Sequence, residues 1–127
     1  MPFRILVADD QPDAREALAG LLEQRRHRVE VAACGGDALR LVLEGGPFDL
    51  SLLDVHMPDL SGFDVLEQLR ARGRALPSVL VTGHPGPDIE KRAMSLGALT
   101  LLRKPIVPGL LDLVLDELQS RLPRPPA

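Results

Sequence analysis

The chain has 127 residues, 45% of them hydrophobic and 26% charged, the size and composition of one globular domain with a single core. Fifteen basic against eighteen acidic residues give a formal net charge of −3, unlike the basic surplus of a stand-alone nucleic-acid binder. No apolar run approaches the roughly 20 residues of a membrane span, the N-terminal apolar stretch is too short for a signal peptide, and the single Cys34 can form no internal disulfide, as expected in a reducing cytoplasm.

In chain order, residues 5–9 read as a first strand, apolar until Asp9. Ala14, Ala17, Leu18, Leu21 and Leu22 then recur on one face of a helix, with Arg15, Gln24 and Arg25 off it. His27 follows as a surface residue, and residues 29–32 form a second short strand. Cys34 opens the next loop as an inert, half-buried thiol. A second helix over 36–44 stops at Gly45-Gly46-Pro47. Residues 50–54 and 78–82 are nearly continuously apolar, as strands buried on both faces should be, and a helix over 62–72 lies between them. A fourth helix at 87–95 and a fifth strand at 99–103 follow. The last helix covers 108–122, with Leu110, Leu111, Val114, Leu115, Leu118 and Leu122 as its core face and Leu113 exposed off the edge. The proline-rich residues 123–127 cannot continue it. They end a domain spanning 1–122 or begin a linker. Five strands alternating with five helices predict repeated βα units and a doubly wound α/β fold, a five-stranded parallel sheet with helices on both faces.

In such a sheet, ligands bind beyond the carboxyl ends of the strands. There the sequence places Asp9 and Asp10 after strand one, Asp54 after strand three, Thr82 at the end of strand four and Lys104-Pro105 after strand five. Three carboxylates brought together need a positive charge among them, and a hard divalent cation such as Mg²⁺ suits an all-oxygen donor set. The competing reading makes Asp9 and Asp10 helix caps; it leaves Asp54 unexplained. Lys104 is either a solvated surface charge or a partner for Asp54 and for an incoming anion. With a cation, a lysine and the Thr82 hydroxyl around it, Asp54 is placed to receive a phosphoryl group as an acyl phosphate. The acidic run Asp9-Asp10-Gln11-Pro12-Asp13 replaces any glycine-rich phosphate loop and disfavours a bound nucleotide.

These residues resemble the receiver domain of bacterial two-component response regulators. The resemblance rests on Ile5-Leu6-Val7-Ala8-Asp9-Asp10, on Leu53-Asp54-Val55-His56-Met57-Pro58-Asp59-Leu60-Ser61-Gly62, on Val81-Thr82-Gly83-His84, on Gly97-Ala98 and on Lys104-Pro105. It implies a flavodoxin-like sheet of strand order 2-1-3-4-5. It also implies that Asp54 accepts a phosphoryl group from a phosphohistidine of a sensor histidine kinase or a histidine phosphotransfer protein. Asp9, Asp10, Asp54 and the backbone carbonyl of His56 would hold Mg²⁺, Thr82 would be the switch hydroxyl, Lys104 would bind the phosphoryl group, and the Lys104–Pro105 bond would be cis. Where the family commonly has an aromatic switch residue, this chain has Leu101. His56 and His84 flank the acceptor as potential modulators of phosphoryl lifetime, or as plain exposed loop residues. The family often dimerises through helix four, strand five and helix five, which makes Leu101, Arg103 and Leu113 candidate contacts. The Thr-Gly-His run resembles a branch whose longer members often carry a DNA-binding output domain, although nothing in this chain itself reads as binding nucleic acid.

The leading expectation is a cytoplasmic signalling switch that turns over no metabolite. A Mg²⁺-dependent phosphohydrolase with an aspartyl-phosphate intermediate is the enzymatic alternative; it generally wants an acid where His56 stands. A phosphorylation-independent docking module and a flavodoxin-like cofactor binder complete the set, the last disfavoured by the acidic loop.

Overall fold

The computed structural model describes residues 2–121. Ten elements alternate along the chain: β1 (Arg4–Ala8), α1 (Pro12–Gln24), β2 (Arg28–Ala32), α2 (Gly35–Glu44), β3 (Leu50–Asp54), α3 (Gly62–Ala71), β4 (Ser78–Thr82), α4 (Pro87–Ser95), β5 (Thr100–Arg103) and α5 (Pro108–Arg121). All strand pairings are parallel, in the order β2-β1-β3-β4-β5. The expected doubly wound sheet is therefore present. The predicted strand limits hold to within one residue.

Side-chain alternation along each strand sorts the core into two layers. Ile5, Val7, Leu52, Val79 and Val81 pack with Leu18 and Leu22 of α1 and with Leu111, Leu115 and Leu118 of α5. Leu6, Ala8, Leu53 and Leu80 face the opposite way, against Ala38 of α2, Leu66 and Leu69 of α3 and Ala93 of α4. Every residue of β3 and β4 is buried, which is why both strands read as unbroken apolar runs. Their polar exceptions, Ser51 and Ser78, sit opposite one another in the ladder and share a hydrogen bond of 2.7 Å.

The helices start where their sequences predict. Pro12, Pro87 and Pro108 open α1, α4 and α5, where a missing N–H costs nothing. Ser61 and Asp64 form a reciprocal capping box at the start of α3, each side chain taking the other's backbone N–H at 3.0 Å.

Four expectations shift. On α1, Ala17 is exposed and Ala19 is buried in its place, because the loop before α5 leaves one flank of α1 uncovered. On α5, Leu110 is 46% exposed, on the wall of an open groove between α5 and β5, while Leu113 is 63% exposed as predicted. His27 is half-buried rather than on the surface; its ring stacks on Phe3 at 5.1 Å, and its Nδ1 accepts the Phe3 N–H at 3.0 Å. Cys34 caps α2, with Sγ accepting the Asp37 N–H at 3.5 Å. Leu122 and the tail at 123–127 lie outside the described residues.

Candidate functional site

The parallel ladder continues one residue beyond three of the strands. Asp9 N–H donates to Ala32 O at 3.1 Å, Val55 N–H to Val81 O at 2.8 Å and Lys104 N–H to Thr82 O at 2.8 Å. These bonds fix the backbone where β1, β3 and β5 turn away from the sheet. They bring the predicted polar residues together at its carboxyl edge.

The side chains there repeat one local device. Asp9 Oδ1 accepts the N–H of Gln11 at 2.9 Å, Asp54 Oδ1 that of His56 at 3.1 Å, and Thr82 Oγ1 that of His84 at 3.0 Å. In each case the residue at the strand end holds the N–H two positions on, a turn that Asp and Thr favour. One oxygen of each aspartate is thereby committed, and the other faces Lys104. The Lys104 Nζ lies 2.7 Å from Asp9 Oδ2 and 2.8 Å from Asp54 Oδ2. Neither Asp9 nor Asp10 caps α1; the capping position is Gln11, which makes no side-chain capping bond.

Asp9, Asp54 and Thr82 are 5%, 4% and 0% exposed, and Asp10 is open to solvent. One oxygen from each of the three aspartates lies within 4.8 Å of the others. Burial pushes the Asp54 carboxyl above its usual range, against the opposing pull of Lys104 and the His56 N–H, and the neighbouring Asp9 adds to the rise. Burial alone would lower the Lys104 ammonium, but the hydrogen bonds it donates to Asp54 and Asp9, together with their negative charges, outweigh it and hold it above its ordinary value. A lysine between two buried carboxylates is a resting arrangement with excess negative charge when Asp10 is included. An all-carboxylate set of this kind fits a hard cation.

A pocket of about 290 Å³ opens over these groups, lined by Asp10, Gln11, Asp54, His56, His84 and Lys104 among others. His56 and His84 face each other edge-on across it, with ring centroids 6.2 Å apart. The Lys104–Pro105 peptide bond is cis. Leu101 pairs with Leu80 across the ladder and lies half-buried against the α4 layer of the core. Gly62 starts α3 so close behind the acceptor that a Cβ there would sit 2.5 Å from the Asp54 carbonyl oxygen.

The sequence matches the response regulator receiver domain family over residues 5–116. The chain belongs to that family. It is 37% identical over 122 residues to the response regulator MprA of Mycobacterium sp. (strain KMS), a match covering 96% of this chain and 50% of that protein. It is 34% identical to the response regulator protein PilR of Pseudomonas aeruginosa, covering 94% of this chain and 27% of PilR. The receiver thus spans half or less of these curated relatives. Among solved structures, a CheY-like response regulator receiver domain protein from Methanospirillum hungatei superposes with a TM-score of 0.85 at 28% identity, covering 94% of this chain and 96% of that one.

Sequence reasoning missed three contributors. The Gln11 N–H orients Asp9, Arg15 donates from Nη1 to the Asp9 carbonyl at 3.0 Å, and Asp59 holds the loop after β3. The first two follow from turn geometry and leave no distinctive signal. The third has one, the Gly35-Gly36 pair at the start of α2. A second groove, of about 340 Å³, runs from Asp9 and Lys104 along Ala14, Ala17 and Leu21 of α1 to Ile106. Ala17 lines this open groove, which is where its exposed side chain lies. Among the described residues, no helix is long and apolar enough to cross a membrane.

Proposed function

We propose that this receiver, taken as residues 1–122, is a cytoplasmic phosphoacceptor switch. Asp54 takes a phosphoryl group from a phosphohistidine of a histidine kinase or phosphotransfer protein. The observation that carries this reading is Lys104 bridging Asp9 and Asp54 at 2.7 and 2.8 Å beside Asp10. Asp9, Asp10, Asp54 and the His56 carbonyl would hold Mg²⁺, which when bound neutralises charge on the phosphoryl oxygens. A carboxylate oxygen of Asp54 attacks phosphorus, and the P–N bond to the donor imidazole breaks with its electron pair leaving on nitrogen. Lys104 then pairs with a phosphoryl oxygen in place of Asp54, and the Thr82 hydroxyl donates to another. His56 and His84 border the approach of water to the acyl phosphate and modulate its lifetime. Hydrolysis at Asp54 resets the switch; no other substrate is turned over.

Two surfaces support the partner assignments. The apolar groove along α1 runs into the acceptor site through Asp9 and Lys104, which suits a partner helix carrying the phosphohistidine. Leu110 and Leu113 of α5 flank a groove of about 250 Å³ with Leu99 and Leu102, along the edge strand β5. This is an apolar surface for a second copy of the receiver, with Arg103 exposed beside it and Leu101 turned partly into the core. The net charge of −3 favours these protein partners over nucleic acid.

The test is intact-mass spectrometry after incubation with acetyl phosphate, with and without Mg²⁺, on the native sequence and Asp54→Asn. One added phosphoryl group, dependent on Mg²⁺ and on Asp54, is expected, with gel filtration of the labelled protein reporting dimerisation. Steady release of phosphate from simple phosphomonoesters would instead identify a phosphohydrolase. Failure of both acetyl phosphate and a kinase to label Asp54 would leave a docking module.

A further inference from the structure

The loop from β3 to α3 carries the acceptor's immediate neighbours, and it is fastened at both ends. Val55 N–H is held by β4 and Gly62 N–H returns to Val55 O at 3.2 Å, next to the Ser61–Asp64 capping box. Its middle is fastened to a different helix. Asp59 Oδ1 accepts the Gly35 N–H at 2.9 Å and Asp59 Oδ2 accepts the Gly36 N–H at 2.8 Å. These two N–H groups belong to the first turn of α2, where a helix offers them no internal partner. The Cys34 side chain reaches only the third, that of Asp37. The start of α2 is therefore capped by a carboxylate from across the site.

The two glycines are shaped to this contact. A Cβ on Gly35 would collide with the Leu60 carbonyl oxygen, and one on Gly36 would lie 2.7 Å from Asp59 Oδ2. Glycine inside a helix costs about 1 kcal/mol relative to alanine, so consecutive glycines make a poor helix start unless something must approach them closely. The Asp59 carboxylate is held down to about 2 by the N–H groups of Leu60 first, then Gly36 and Gly35. At neutral pH it is a fixed anion on a helix N-terminus, the favourable end for it.

We propose that Asp59 is a positioning residue for the cation site. By clasping the middle of the β3–α3 loop to α2, it holds the segment that presents His56, whose N–H fixes Asp54 Oδ1 and whose carbonyl would be one of the ion's ligands. This rests on the reading of Asp9, Asp10 and Asp54 as a Mg²⁺ site. Asp59 lies outside the ion's own ligands and acts only through the backbone between residues 56 and 59. Groups that hold metal ligands in place typically change affinity by about tenfold or more when removed.

The experiment is calorimetric titration of Mg²⁺ into the whole chain for the native sequence, Asp59→Ala and Gly35→Ala, with thermal unfolding and acetyl phosphate labelling run in parallel. Asp59→Ala is expected to weaken Mg²⁺ binding by about tenfold and to shift the Mg²⁺ dependence of labelling equally, with labelling recovered at saturating Mg²⁺. Gly35→Ala changes no charge and pushes on Leu60 from the α2 side, so an equivalent weakening there separates positioning from a through-space effect of the Asp59 charge. A lowered melting temperature with unchanged Mg²⁺ affinity in Asp59→Ala would overturn the proposal, leaving a purely structural clasp. Labelling lost at every Mg²⁺ concentration would overturn it too. Native protein that binds Mg²⁺ but takes no phosphoryl group refutes the acceptor reading alone, and the affinities still judge Asp59. Native protein that binds no Mg²⁺ refutes both.

Discussion

Lys104 is the cation that bridges the two buried carboxylates of the site, so replacing it with methionine isolates what it does. Its Nζ lies 2.7 and 2.8 Å from two carboxylate oxygens. At an effective dielectric of about 20, each contact corresponds to about 6 kcal/mol of Coulomb attraction, and two carboxylates within 4.8 Å of one another repel by at least about 3.5 kcal/mol. The desolvation of the ammonium consumes most of the attraction. What methionine leaves behind is the repulsion, with Asp9 and Asp54 each losing a hydrogen-bond donor. Breaking a buried pair costs about 3–5 kcal/mol, and access through the open Asp10 side reduces that to about 2–4 kcal/mol.

The assay is urea unfolding in chelator and in saturating Mg²⁺. In chelator at neutral pH, Lys104→Met should be less stable by about 3 kcal/mol. Mg²⁺ should narrow that gap, because the variant's carboxylates no longer have a competing ammonium among them. The pH dependence carries a sign. Asp54 already sits above the ordinary carboxyl range, and losing the opposing Lys104 raises it further. A carboxyl raised in the folded state contributes stability below its unfolded value, and that contribution is lost as pH rises through the folded value. The variant's deficit should therefore be larger at pH 8 than at pH 5. A deficit under about 0.5 kcal/mol in chelator, within the range of ordinary surface substitutions, or Mg²⁺ stabilising both proteins equally, would refute the reasoning.

The buried serine pair predicts an asymmetry. Ser78 Oγ donates to Leu76 O at 3.0 Å and receives Ser51 Oγ at 2.7 Å, so Ser78→Ala orphans a hydroxyl and a carbonyl, at about 1–3 kcal/mol, while Ser51→Ala leaves the Leu76 bond intact and costs about 1 kcal/mol. Urea midpoints in the reverse order would reverse the donor assignment. His27 predicts a pH effect: burial, first, with Arg25 adding, lowers it below its ordinary 6.5, so the unfolded chain binds the extra proton and stability should fall as pH drops through about 6.5. His27→Gln should flatten that slope in a series of melting curves, and an unchanged slope would place its origin elsewhere.

The sheet was legible because a strand buried on both faces leaves a contiguous apolar run, and the site was legible because a parallel topology collects strand ends at one edge. Asp9, Asp54, Thr82 and Lys104 needed nothing beyond that rule to be brought together. Helix phase was harder. The same periodicity that faces Leu18 and Leu22 inward leaves Ala17 or Ala19 to be decided by what covers α1, and that is a loop some 90 residues away in sequence. Leu110 continues an apolar stripe that borders an open groove with β5. His27 carries no spacing signal, because its ring and its Nδ1 both meet one residue, Phe3, just before β1. The role of Asp59 depends on two glycines more than 20 positions upstream, and each end of that contact looks unremarkable alone.

Leu101 bears on how a phosphorylated Asp54 would be read. The Thr82 hydroxyl accepts the His84 N–H at 3.0 Å and keeps its own proton to donate. Turning toward a phosphoryl oxygen therefore pulls on the backbone of residues 83–86, which leads directly into α4. That helix is the most lightly anchored in the fold, with Ala93 as its only buried residue, so its displacement exposes little apolar surface and costs little. An aromatic ring at position 101 would couple the hydroxyl to the surface through its bulk. Leucine at that place offers less area and no polar tip, but the hydrogen bond from the His84 amide to Thr82 would carry such a movement along the main chain. A receiver wired this way would need its threonine and a loosely held α4 more than a ring on β5, so Thr82→Ala should abolish a phosphorylation-dependent shift in α4 amide exchange that Leu101→Ala leaves in place, and the reverse result would refute this route.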